Sequence, residues 1–421
     1  MLKTCEKFVE YHFTDEKFCA LIECNKLERK EGFIMKKMLV KVLMAVMALA
    51  MVFSLASCGN NGYTADNTEF VIGFSGPLTG GAAVYGTAVK NAAQMAVEEI
   101  NAKGGLNGVK FKLVATDDTH DATKVAANYA SMLEGGMQVS LGTVTTAPGL
   151  EFSKLSKEDN VFFLTPSASG DKIPEFANGF QMCFADGNQG AVAANYVNSL
   201  NLTKIGIFYK SDDAYSKGIY DQFKANLNDS IETVEAVFTG EASDFSAQIS
   251  TLSDCTFIFM PIYYGPASIF MTQAKDTIAP NAVYYGCDGF DGLAGQFEDF
   301  SIIPQEVSML SHFDSNATEG VAADFISKYT AKFGADTLNQ FGASAYDCVY
   351  AIYNAMDAAI KAGEEIDVTI SAEDLCEILK AQFAGDFTYS GVTGNNISWE
   401  DNGYVSKEAV KYTLKTANDA Q

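Results

Sequence analysis

The sequence predicts an α/β protein built as two doubly wound, Rossmann-like lobes. Three observations carry this. From Phe70 onward, short apolar runs alternate with helix-period stripes, the pattern of repeated βα units. That pattern pauses near Phe184 and restarts at Lys204, so it occurs twice. With 421 residues, 48% hydrophobic and only 19% charged, the chain has the length and apolar content for two ordinary domains.

The elements follow in order. EFVIGFSG (69–76) is a short apolar run stopped by Gly-Pro, as a buried strand is. Val89, Ala92, Ala93, Ala96, Val97 and Ile100 then recur at helical spacing, and the glycine pair of NAKGG stops that helix. VKFKLVATDD is the next strand and 121–133 the next helix. A strand at 139–144, a helix at 148–158 and strands at 161–165 and 179–184 complete the first half. The second half opens with the strand KIGIFYKS (204–211), a helix at 214–227 and the strand TVEAVFTG. A helix at 243–252, the strand CTFIFMPI (255–262), a helix near 266–276 and the strands AVYYGCDG (282–289) and EVSMLSHF (306–313) follow. Helices return at 317–333, around Tyr346, Val349, Tyr350 and Tyr353, and at 372–383.

The N-terminus reads as an export signal. Lys36, Lys37 and Lys41 precede an apolar run from Val42 to Leu55, which is shorter than the roughly 20 residues a spanning helix needs. Leu55-Ala56-Ser57-Cys58 resembles the bacterial lipobox, which makes residues 35–57 a lipoprotein signal peptide and Cys58 the lipidated first residue. Residues 1–34, with seven acids and three cysteines, fit no part of a signal and read as an upstream extension with translation starting at Met35. The polar stretch 58–68 reads as a tether.

Composition and motifs exclude several functions. The formal charge of −24 argues against nucleic acid as a partner. From Cys58 on there are 46 acidic and 20 basic residues, none of them arginine. No phosphate loop, no G-x-S-x-G nucleophile elbow and no C-x-x-C occurs, so neither nucleotide, cofactor, metal nor enzymatic chemistry is expected. Asp117, Asp118, His120 and Asp121 cluster between a strand and a helix, where closing the strand and capping the helix account for them. Cys183, Cys255, Cys287, Cys348 and Cys376 are widely spaced and odd in number, which argues against a full disulfide framework. The apolar stretches around Cys183, Cys255 and Cys348 suit buried thiols.

What remains is a ligand clasp. In open α/β sheets, ligands bind beyond the carboxyl ends of the strands. Thr145, Thr146, Ser167 and Ser169 fall at such ends, beside helix starts whose free N–H groups suit a carboxylate. Taken alone, each hydroxyl is also able to act as a plain helix cap. In the second half the same places carry Tyr215, Tyr263, Tyr264 and Asp288. A carboxylate there suits an ammonium group, and the tyrosines suit an apolar body. One half is thus equipped for an anion and the other for a cation, as a zwitterionic amino acid requires.

These stretches together resemble a known family. VIGFSGPLTGGAAVYG, AVEEINAKGGLNG, KLVATDD, FFLTPSAS, YYGCDGFDG and SAYDCVYAIYNAM are similar to the leucine/isoleucine/valine-binding proteins of ABC transporters, over 70 to about 404. The resemblance implies the type I periplasmic-binding, or Venus-flytrap, fold. Its two lobes are joined by three crossovers and close on a ligand. It places the first lobe at 66–184 and 312–387, and the second at 185–311 and 388–421, with crossovers near Phe184, Ser311 and Thr388. It implies that Tyr85 lies beside the ligand and that Val144, Thr145 and Thr146 present the α-carboxylate site. Ser167 and Ser169 share the ligand, Tyr215 and Tyr263 are the second-lobe aromatics, and Asp288 replaces the Glu that commonly holds the α-ammonium. Familiar members bridge the two loops with a disulfide; His120 and Thr145 stand there instead. The implied protein is an extracytoplasmic, lipid-anchored, monomeric solute-binding subunit that feeds an ABC permease with a branched-chain or related amino acid. Alternatives are a sensor of the same fold with a signalling partner, or a binder of an amide or other small organic solute.

Overall fold

The computed structural model describes residues 67–417, all within one compact unit. The expected extension, signal segment, Cys58 and most of the tether lie outside the described residues. Two parallel sheets form the frame. The first takes its strands in the order β2-β1-β3-β4-β5, where β1 is Phe70–Gly76, β2 Phe111–Asp117, β3 Val139–Ser140, β4 Phe163–Thr165 and β5 Gly179–Gln181. The helices between them are α1 (Ala83–Ala102), α2 (Val125–Glu134) and α3 (Thr146–Glu158). Every residue of β1 is buried, as expected of a parallel strand covered on both faces.

The second sheet begins after α4 (Asp186–Ser199). Its strands are β6 (Lys204–Lys210), β7 (Glu232–Phe238), β8 (Phe257–Met260), β9 (Val283–Gly286) and β10 (Glu306–Ser311). Three helices join them, α5 (Ala214–Asn226), α6 (Ser246–Leu252) and α7 (Tyr264–Ala274). The order β7-β6-β8-β9-β10 repeats that of the first sheet, and β13 (Val410–Lys415) closes the edge antiparallel to β10. Between β10 and β13 come α8 (Gly320–Phe333), α9 (Gln340–Ala362) and α10 (Ala372–Phe383). They pack on the first lobe, α8 and α9 against α1 and α10 against β3.

Most elements fall where periodicity puts them, and the differences have local causes. The strand expected at 139–144 stops at Ser140, because its hydroxyl accepts the Gly142 N–H and Gly142 turns left-handed at φ 62°. The helix expected from 148 starts two residues earlier, at Thr146. A hairpin of β11 (Tyr389–Gly391) and β12 (Gly394–Ile397) carries no strong sequence signal.

The chain crosses between sheets three times. Phe184 and His312, on two of these passages, meet ring edge to face at 5.2 Å. Lys407, on the third, donates to the Met182 carbonyl at 2.8 Å. The third passage falls later than Thr388. Buried Asp347 of α9 collects Tyr389 Oη and the N–H groups of Val392 and Thr393, Trp399 donates to the Gln181 carbonyl, and Tyr404 donates to the Asp171 carbonyl. Residues 389–404 therefore lie on the first lobe, and the chain joins the second sheet only at Val410.

Candidate ligand-binding site

Loops at the carboxyl ends of strands in the two sheets meet, His120 after β2 lying against Tyr263 after β8. Four helix N-termini lie near this junction: the start of α3 meets that of α4 through Thr146 and Asp186, and the start of α5 meets that of α7 through Tyr215 and Tyr263; each carries the positive end of a dipole.

On the first lobe, Thr145 is the N-cap of α3 but its side chain caps nothing. Its hydroxyl instead meets His120 Nδ1 at 2.9 Å. That hydrogen bond joins the two loops at the place where the resemblance expected a disulfide in relatives. Thr119 and His120 both have positive φ, 52° and 66°, and Asp118 holds the turn by accepting the His120 N–H. Thr146 donates to Asp186 Oδ2 at 3.2 Å. The Ser169 carbonyl accepts the Asp186 N–H at 2.8 Å. Ser167 donates its hydroxyl to the Val144 carbonyl at 2.7 Å, which fixes the two loops to each other, while the Val144 side chain lies in the core. Thr143 ties the same loops through its carbonyl, which accepts the Thr165 hydroxyl.

On the second lobe, Tyr215 in the first turn of α5 donates to Asp288 Oδ1 at 2.7 Å. Its ring stacks on that of Tyr263 at 4.5 Å. Asp288 sits in a short 3-10 turn after β9, and its N–H donates to Gln189 Oε1. Tyr85 reaches across from α1 and donates to the Gly289 carbonyl at 2.6 Å. Its ring contacts Tyr263, Tyr264 and Phe341. The structure thus links Thr146 and Ser169 through Asp186, joins Tyr85, Tyr215, Tyr263 and the Asp288–Gly289 turn, and connects the two groups through Thr145 and His120, whose ring meets Tyr263, with Val144 and Ser167 behind them.

Sequence reasoning missed Asp186. It opens α4 just past the first passage between lobes, and both it and Asp288 are 2% exposed. Burial, and then repulsion from Asp288, push its carboxyl well above the usual range. Burial raises Asp288 to about 6, against the hydrogen bonds from Tyr215 and Gln189. Two buried carboxylates therefore flank the cleft, and Asp186 Oδ1 has no hydrogen-bond partner among the described residues. The available signal was the position of an Asp at a helix start directly after a strand, but such an Asp reads as an ordinary cap.

The acidic cluster before α2 uses its groups internally. Asp117 accepts from Leu78 and Thr119, Asp118 from Ser75 and His120, and Asp121 from Thr123. Among the described residues no group of His, Cys, Asp and Glu gathers as a metal site, and no helix is long and apolar enough to cross a membrane. The five described cysteines are free and buried.

The model of the periplasmic binding protein family matches residues 69–417, nearly the whole described chain. The chain belongs to the periplasmic binding protein family. It is 30% identical to the Leu/Ile/Val-binding protein BraC3 of Rhizobium johnstonii, over 81% of this chain and 95% of that one. A leucine-, isoleucine-, valine-, threonine- and alanine-binding protein of Pseudomonas aeruginosa is 26% identical over 53% of this chain and 61% of its own length. Among solved structures, the branched-chain amino acid transporter substrate-binding protein of Streptococcus pneumoniae, in complex with isoleucine, superposes with a TM-score of 0.69. It is 25% identical, and the match covers 82% of this chain and 100% of that one. A leucine-binding protein of Thermotoga maritima shares the fold at a TM-score of 0.71 and 22% identity, over 83% and 96% of the two chains. This periplasmic binding protein thus shares its fold with those solved structures.

Proposed function

We propose that this periplasmic binding protein is the extracytoplasmic solute receptor of an ABC importer and holds a branched-chain or related amino acid between its lobes. One observation carries the reading: hydroxyl and N–H donors at the start of α3 on one lobe, and the buried carboxylate of Asp288 on the other. The uncapped N-terminus of α3 and the Thr146 hydroxyl suit an α-carboxylate. Asp288, oriented by Tyr215, suits the α-ammonium, with Asp186 as a second acidic neighbour. Two buried carboxylates are costly while no cation faces them, and a ligand ammonium offsets that cost. The names of the relatives agree with this ligand class. No bond of the ligand is made or broken, so the protein is not an enzyme.

Closure is then a population shift, because the ligand gains contacts on both lobes only in the closed state. Tyr85, reaching Gly289 across the cleft, is a contact of that closed state. The lobes comprise 67–184 with 312 to about 404, and 185–311 with the C-terminal strand. Cys58 anchors the otherwise monomeric protein to the membrane through acyl chains, each buried CH2 stabilising attachment by about 0.8 kcal/mol.

A thermal-shift screen of the twenty amino acids on the chain from Cys58 onward tests the ligand class. A true ligand at 100 times its Kd adds about 2.7 kcal/mol. A branched-chain amino acid should give one of the largest shifts, and the absence of a shift with any amino acid overturns the reading. For the anchor, Cys58→Ser expressed in a bacterium should appear in the soluble fraction; a variant still held by membranes refutes lipidation.

A further inference from the structure

A cavity of about 340 Å³ lies where the second and third passages between the lobes run side by side. Residues 311–314 line it from the second passage and 406–408 from the third, and β12 closes one side. The two passages meet in register there, Ser311 of β10 pairing with Val410 of β13. None of its lining residues belongs to the ligand-binding site above.

Lys407 gives the cavity its charge. Its ammonium donates to the Met182 carbonyl at 2.8 Å and to the Thr393 hydroxyl, and it forms no ion pair among the described residues. An ammonium has three N–H donors, so one is left for a further acceptor. Burial lowers this ammonium to about 8, with Asp347 first among the groups that oppose the shift. Asp347 is already engaged by Tyr389, Val392 and Thr393. A cation away from water with only neutral partners gains strongly from an anion beside it. The rest of the wall is apolar: Phe313 and Ile397 are buried, and Val410 is 61% exposed at the mouth. Asp314 and Glu408 stand exposed at the rim, while Lys411 is held by Glu306 at 3.1 Å. These rim acids repel a dianion such as phosphate more than a single carboxylate.

We propose that this cavity is a second binding site, for a monocarboxylate with a short apolar body, and that its occupant favours the closed arrangement of the lobes. The carboxylate meets Lys407, and the body lies along Phe313, Ile397 and Val410. An engineered apolar cavity of about 150 Å³ is enough to bind benzene, so a six-carbon chain fits this larger space. Such a molecule has no ammonium and so lacks the group that Asp288 suits. The lobes turn about these passages, and an occupant held by both stabilises the arrangement in which both contacts are made. The coupling rests on the amino-acid reading above; the site itself does not.

Titration calorimetry with hexanoate at constant ionic strength tests the site, with hexanamide as the uncharged control. The native chain should bind hexanoate saturably and hexanamide at least about tenfold more weakly. Lys407→Met should weaken hexanoate by about tenfold or more. Should circular dichroism show that variant unfolded, Glu408→Lys decides, because its change is confined to the exposed rim. It should tighten hexanoate by about threefold or more. Native protein that binds no hexanoate, or binds hexanamide equally well, overturns the site. So does a folded Lys407→Met variant with native affinity, a Glu408→Lys variant with unchanged affinity, or hexanoate that competes with leucine. For the coupling, saturating hexanoate should lower the Kd of leucine by about threefold or more, and saturating leucine should tighten hexanoate by the same factor. An unchanged leucine Kd overturns the coupling. A native chain that binds hexanoate but none of the twenty amino acids overturns the amino-acid reading instead and upholds the site.

Discussion

β3 and β8 hold equivalent places in their sheets, each beside the first strand of its lobe, yet the segments that follow them have opposite character. After β3 come Thr143, Thr145 and Thr146, small hydroxyls at a helix N-terminus. After β8 come Tyr263 and Tyr264, large rings at another helix N-terminus. The next pair repeats the contrast: β4 leads to Ser167 and Ser169, β9 to Asp288. One strand order, used twice, therefore presents a hydrogen-bonding wall and an aromatic, acidic wall. The backbone supplies the position and the helix dipole, and the loop residues supply the charge and shape.

The contrast can be broken most sharply at Asp288. Asp288→Ala should cost about 3 kcal/mol or more of amino-acid binding, over a hundredfold in Kd, because the ligand ammonium would lie buried without its partner. Calorimetry giving an unchanged Kd would remove Asp288 from the site. Asp186 is the exception in the contrast, an acid beside the hydroxyl wall. Asp186→Asn should weaken binding by about 1.5–3 kcal/mol. The same change should raise the melting temperature of the ligand-free protein, because it removes a carboxyl that burial and Asp288 hold well above the usual range. A lowered melting temperature with full affinity would make Asp186 a structural cap only.

A gentler probe is pH. The Asp288 carboxyl, raised to about 6 by burial, must be ionised to hold an ammonium. Affinity should be level above about pH 7 and fall below about 6, by up to about tenfold per pH unit for one proton. Affinity that stays flat from pH 7 to 5 would mean that the ligand carries no cation there. The smallest effect is expected on the hydroxyl wall. Thr146→Val should cost about 1 kcal/mol, one neutral hydrogen bond. If binding survives intact, the N–H groups of α3 hold the carboxylate alone.

The sequence by itself determined the repeated βα pattern, the strand ends and most of the polar residues that face the cleft. Alternating apolar runs and helical stripes are local signals, and a strand end in a parallel sheet faces the ligand side whatever lies opposite. Tertiary structure alone decided how those residues divide their work. Ser167 uses its hydroxyl on the Val144 carbonyl, and Thr145 uses its own on His120, because loops separate in sequence meet at the carboxyl ends of the strands. Asp186 joins the site because the first passage between lobes brings the start of α4 to Thr146 and near enough to Asp288, a hundred residues on, to feel its charge. The late third passage, held by Asp347, likewise depends on where α9 comes to rest. Periodicity reports which face of an element is buried, while a buried charge, its partner and its pKa depend on what the other lobe places opposite it.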